Sequence, residues 1–259
     1  MSSILFVHKI LALSTFIFSV LTYPFVNEEP GNNNTEQVIT ILALDIPGLH
    51  NPDGRGAYDV IIKKVLAGQF AIDIQPLPPK RSLVYFDRCE HCCFSPGNTD
   101  GNFYNFSEEV RETEPMAVAK IFIFSDYGRE PFRHLSELEG KEVGIRLGMP
   151  LSHNIIESID KKKFNVQYAA SLEANLTRLK LGRVEAALGW FPDSDLLFAQ
   201  NKMKPYPHNK AFPVAVHHDA LACKGVPERF FQVFNQGIQA LRASGELQRL
   251  IGPSYAEPQ

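Results

Sequence analysis

The sequence lacks an excess of charge of either sign. Lysine and arginine total 26 against 29 aspartate and glutamate, a formal net charge of -3 over 259 residues. A nucleic-acid surface needs a clustered basic excess, so nucleic acid is not an expected partner. No Gly-x-Ser-x-Gly, His-Glu-x-x-His, Walker or Gly-x-Gly-x-x-Gly pattern occurs, and the carboxylates form no recognisable acid/base pair. The chain is therefore expected not to be an enzyme and to need no cofactor. Tryptophan occurs once, at Trp190, and cysteine four times. There is also no Ala-x-Ala cleavage signal near the N-terminus.

An export segment is nonetheless present. His8 and Lys9 precede the apolar stretch 10–21, which is short for a membrane span. Residues 1–22 are expected to be a signal peptide cut before Tyr23; an uncleaved anchor over 4–26 is the alternative. Residues 23–37 form a tether, since 27–37 have almost no apolar side chain to bury. Asn33, Asn105 and Asn175 open Asn-x-Ser/Thr triplets, which matter only in a glycosylating host.

The rest alternates between strand-like and helix-like segments. The β-branched run 38–44 reads as a buried strand, followed by a Gly/Pro/Asn/Asp loop over 45–56. In the helix 57–66, Ile61, Val65 and Leu66 share a face, and a second strand follows at 70–75. A short helix (81–87), a strand at 92–94 and an apolar strand at 116–124 complete this part. The pattern then restarts: strand to 146, helix 152–160, strand 164–168, helix 172–181 capped by Ser171, strand 185–190. A strand at 214–223, a long helix 228–244 and a short one at 245–251 close the chain. Strand–helix–strand units imply parallel pairs with right-handed crossovers, so the sequence predicts two similar α/β halves.

Four segments carry a resemblance. They are the strand, loop and helix at 38–66; Leu135-Ser-Glu-Leu-Glu-Gly-Lys-Glu-Val-Gly-Ile-Arg-Leu-Gly148; Leu176-Thr-Arg-Leu-Lys-Leu-Gly-Arg-Val-Glu-Ala-Ala187; and 234–247. Together they resemble the family 3 extracellular solute-binding proteins, the polar amino-acid type of periplasmic receptor. The resemblance implies an α/β, two-lobed periplasmic-binding-protein-like (type II) fold with two hinge strands. Lobe 1 would hold 38–124 and 213–259, lobe 2 125–212, with crossings near 124–128 and 206–212. It implies a periplasmic monomer that captures a small polar or anionic metabolite by hinge closure and delivers it to the membrane permease of an ABC importer. A sensory ligand-binding role, or a same-fold enzyme, are the alternatives it leaves. Two charged contacts of the family are missing: its carboxylate-binding Arg falls on Val118, and its amine-binding Asp falls at Gly189-Trp190.

Eight residues are candidates for ligand contact, each with a plainer role beside it. Met149 and Ser152 lie in the loop before a helix, where free N–H groups attract anions; Ser152 otherwise caps that helix. Trp190 could stack on a ligand or pack in the core. Asp193 could take a cation or cap a helix. Arg81 could hold a carboxylate or be an ordinary surface residue. Asp45 and Tyr58 flank the first strand-end loop, where open α/β sheets bind ligands, though Tyr58 also suits helix packing. Lys120 could replace the missing Arg or pair with an acid. Among Cys89, Cys92, Cys93 and Cys223, export favours a disulfide from Cys223 to Cys92 or Cys93. A zinc site with His91, His217 or His218 is the competing reading, and no metal is expected.

Overall fold

The computed structural model describes residues 38–106, 109–253 and 255–258; the expected signal segment 1–22 and tether 23–37 lie outside them. The first half opens with β1 (Ile39–Leu44), α1 (Ala57–Leu66), β2 (Ile72–Leu77), α2 (Pro79–Arg88) and β3 (Cys92–Gly97). β1 pairs in parallel with both β2 and β3, giving the order β2-β1-β3. α1 forms because Tyr58, Ile61, Ile62 and Leu66 recur on one face, and all four are buried. Gly56 must precede it: a Cβ there would meet Leu49 O at 2.2 Å. β2 begins two residues later than its apolar pattern suggests, because Phe70 packs its ring against Phe230 instead of joining the sheet.

A two-residue strand, β4 (Arg111–Glu112), leads to β5 (Ala117–Phe124). The second half contains β6 (Glu142–Arg146), α3 (His153–Asp160), β7 (Asn165–Ala169), α4 (Leu172–Lys180), β8 (Ala186–Phe191) and α5 (Asp193–Gln200). Its parallel order is β7-β6-β8, the same second-first-third arrangement as in the first half. The chain returns along β9 (Ala215–Lys224) and ends in α6 (Glu228–Ala243) and α7 (Glu246–Ile251). No helix among the described residues is long and apolar enough to cross a membrane.

β5 and β9 carry the chain between the halves. Met116 and Ala117 belong to the first core, but Ile121 and Ile123 belong to one core of the second half and Phe122 and Phe124 to another. β9 does the reverse, with Ala215 packed on the second half and Leu221 to Cys223 in the first core. The change of core therefore falls within these strands, near 118–120 and 216–220. The segments expected as crossings, near 124–128 and 206–212, sit side by side beyond it, with Ser125 N–H donating to Pro207 O at 2.9 Å.

Cys93 on β3 lies directly opposite Cys223 on the antiparallel β9, and the two are joined. Cys92 is bonded instead to Cys89 at the end of α2, so both disulfides lie in the first half. All four cysteines are paired, and no group of metal ligands assembles among the described residues.

Candidate functional site

The two halves meet over a cavity at the C-terminal ends of their central strands. The first half contributes Leu44, Leu49 and Tyr104, and β5 and β9 contribute Ala119, His217 and Asp219. The second half contributes Met149, Trp190 and Asp193. About 20 Å³ is open to the centre of a water-sized sphere, roughly one water molecule.

The wall is polar on one side. Asp219 accepts from Tyr58 O–H at 2.6 Å and from His217 Nδ1 at 2.7 Å. With Nδ1 as the donor, neutral His217 accepts at Nε2 from Tyr104 O–H, 3.1 Å away. Burial, then the nearby Asp219, raises the hydroxyl pKa of both tyrosines well above the usual phenol value. On the opposite side Asp193 opens α5. Burial raises its carboxyl pKa, Arg146 opposes the rise and Asp219 adds to it, leaving it at about 7.

Aromatic rings close the cavity. Trp190 is half-buried; it stands edge-on to His217 at 5.8 Å and tilted against Phe103 at 5.8 Å. Phe103 belongs to the loop after β3. The same loop gives Asn102 O, which accepts from His153 N–H at 2.7 Å. A second tie between the halves is Arg146 Nη2 donating to Asp45 O at 2.7 Å.

Behind Leu49 lies a second polar unit. His50 Nδ1 donates to Asp59 Oδ1 at 2.7 Å, and its Nε2 is 2.9 Å from Ser95 Oγ. Burial alone would raise the Asp59 pKa, but His50 and the N–H groups of Asn51 and Gly56 outweigh it and lower it. The order Asp–His–Ser is that of a nucleophilic relay. Ser95 is 0% exposed, however, so its hydroxyl meets no substrate, and the unit anchors the start of α1 to β3.

Three of the eight candidates come together: Met149, Trp190 and Asp193 share the cavity. The other five do not line it. Lys120 faces an outer hollow with Asp195 and Lys210, because alternation along β5 turns Ala119 inward and Lys120 outward. Arg81 is exposed on α2. Asp45 meets the other half through its backbone carbonyl. Tyr58 is fully buried behind Asp219. Ser152 precedes α3 but makes no side-chain cap; its hydroxyl donates to Asn154 Oδ1, and it edges a separate open hollow. The anion site expected at that helix start has its first N–H taken by Asn102 O. Tyr104, His217 and Asp219 are cavity residues that the family pattern did not flag; the His217-His218-Asp219 run within an apolar strand was the available signal.

No family model matches this sequence, and no curated protein matches it significantly. Solved structures do. The GluR0 ligand-binding core in complex with L-glutamate is 14% identical, with 86% of this chain and 100% of that one covered, at a TM-score of 0.69. The fold is that of two-lobed ligand-binding proteins. An amino acid ABC transporter substrate-binding protein from Streptococcus pneumoniae, bound to L-arginine, is 19% identical over 83% of this chain and 92% of that one, with a TM-score of 0.62. An ancestral arginine-binding protein bound to arginine is 16% identical over 85% and 98%, with a TM-score of 0.60. The expected α/β two-lobed fold is therefore the one this chain adopts.

Proposed function

We propose that this chain is an exported solute-binding protein that traps a small polar ligand between its halves and presents it to the membrane permease of an ABC importer. The carrying observation is the cavity itself. Both halves wall it, and the chain passes between them in β5 and β9, which lie beside it through Ala119, His217 and Asp219. Two strands that change core partway along can flex as a hinge, and closure then buries whatever the cavity holds. The solved likenesses bound to glutamate and arginine support this reading, as does the export-like N-terminus. It places the working protein outside the cytoplasmic membrane.

A thermal-shift screen against amino acids, carboxylates, polyamines and sugars tests it. A ligand at saturating concentration raises the melting temperature by linkage. Trp190→Ala should then weaken the hit by at least about 1 kcal/mol, the lower range for an aromatic contact. Equal affinity in the folded variant would assign Trp190 to packing alone. No shift by any compound would count against solute capture.

A further inference from the structure

We infer that the cavity takes a small organic cation without a carboxylate, such as a primary amine or a guanidine; this rests on the solute-binding reading and names its ligand class. Three observations carry it. The wall holds two carboxyl groups, Asp193 and Asp219, facing in from different halves of the sheet. It holds no lysine or arginine. Its remaining polar and aromatic surface, Trp190, Tyr104 and His217, offers ring faces and hydrogen-bonding atoms to a cation.

The cationic groups that would hold a ligand carboxylate do not line the cavity. Lys120 faces the outer hollow and Arg81 is exposed; Arg146 donates one nitrogen to Asp45 O and shares a neighbouring hollow with Asp193, outside the cavity wall. A carboxylate in the cavity would face two acids with no lysine or arginine on the wall, an arrangement that discriminates against it. A cation gains instead. Asp219 is already fixed by Tyr58 and His217, while Asp193 sits at the mouth of α5 without a lysine or arginine on the cavity wall. Arg146 from β6 and Asp219 from β9 act on its charge, and Tyr58 on α1, Glu173 on α4 and His217 on β9 are the other titratable groups near it. Burial holds its carboxyl at about 7, so a cation beside it drives off its proton near neutral pH. The present space holds about one water, so the cation enters as the halves part and Phe103 yields the face of Trp190.

Titration calorimetry and Trp190 fluorescence on the full chain separate the outcomes. Agmatine and L-arginine make a matched pair, with the same guanidinium and with or without the carboxylate; putrescine and succinate extend it. Agmatine or putrescine should bind at least about tenfold more tightly than L-arginine, with proton release at pH 7. Asp193→Asn should weaken that binding about tenfold or more and abolish the proton release, with the variant's thermal melt confirming that it folds. L-arginine, L-glutamate or succinate binding as well as agmatine would overturn the cation inference and leave solute capture standing. No response to agmatine or putrescine also overturns it; if the wider metabolite panel is silent too, solute capture falls with it.

Discussion

In the first half β2, β1 and β3 run in parallel and β9 lies antiparallel beside β3; in the second, β7, β6 and β8 run in parallel and β5 lies antiparallel beside β8. The same order is held by different means. The first half has both disulfides, the buried His50–Asp59–Ser95 unit and one large core. The second has no cysteine and divides its apolar side chains between two smaller clusters. Its outer strand β7 leaves most residues exposed, whereas β2, the matching outer strand of the first half, leaves only Asp73 exposed. The first half is thus framed covalently, whereas packing and hydrogen bonds hold the second without a disulfide.

The sharpest way to break that comparison is to cut the frame. The Cys93–Cys223 link closes a loop of 130 residues that contains the whole second half, whereas Cys89–Cys92 closes one of three. Chain-entropy scaling assigns about 5 kcal/mol to the long loop and about 2 kcal/mol to the short one. Cys93→Ala/Cys223→Ala should therefore cost about 5 kcal/mol in urea unfolding and Cys89→Ala/Cys92→Ala distinctly less. The reverse order would mean that the clustered pair, not the interstrand one, frames the half. Asp59→Ala comes next, at about 3 kcal/mol, because His50 and two backbone N–H groups lose their acceptor in a dry site. The native protein should lose the same contribution as pH falls through the carboxylate range, since the folded pKa of Asp59 is lowered. An acid-unfolding curve unchanged by the substitution would remove Asp59 from that account.

Asp193 moves stability the other way. Its pKa rises from 3.8 to about 7 on folding, so the folded chain holds a proton that the unfolded chain gives up. The favourable contribution is complete below about pH 4 and is lost as pH rises toward 7. Asp193→Asn should be more stable than the native chain above pH 7, by about 1–2 kcal/mol, and nearly equal to it at pH 4. The figure is below the full linkage value because the side chain keeps some solvent contact. Equal pH profiles for the two proteins would show that folding does not raise the Asp193 pKa.

Much of the fold was legible because each strand–helix unit carries its own signals: an apolar run, a loop with glycine, an amphipathic helix. Trp190, Met149 and Asp193 were legible as site candidates because each follows or ends a strand, where such sheets present loops to ligands. The polar wall was not, because Tyr58 and Asp219 are 161 residues apart and no local pattern joins them. The place where the chain changes core was hidden for a different reason. The apolar run 116–124 ends at Phe124, but the strand changes partners before that, and only the packing of Ile121 and Phe122 reveals it. The Cys89–Cys92 link was missed because pairing was sought only across the gap to Cys223.

Lys120 gives the smallest expected effect and the most direct test of how β5 is oriented. β5 is buried on both faces, so its sequence shows no inside and outside, and a lone cation beside the place of the family's arginine invites a ligand role. The structure resolves the ambiguity by period alone. Ala119 lines the cavity; Lys120, one residue on, shares the outer hollow with Val118, Asp195 and Lys210. Val118 falls with Lys120 rather than Ala119, so an arginine at either position would also point away from the cavity while this register holds. Lys120→Ala should therefore leave ligand affinity unchanged and stability within about 0.5 kcal/mol, as for an ordinary surface change. A tenfold loss of affinity would require β5 to be shifted by one residue in the ligand-bound form, which would also exchange the faces of Ile121 and Phe122 between the two cores of the second half.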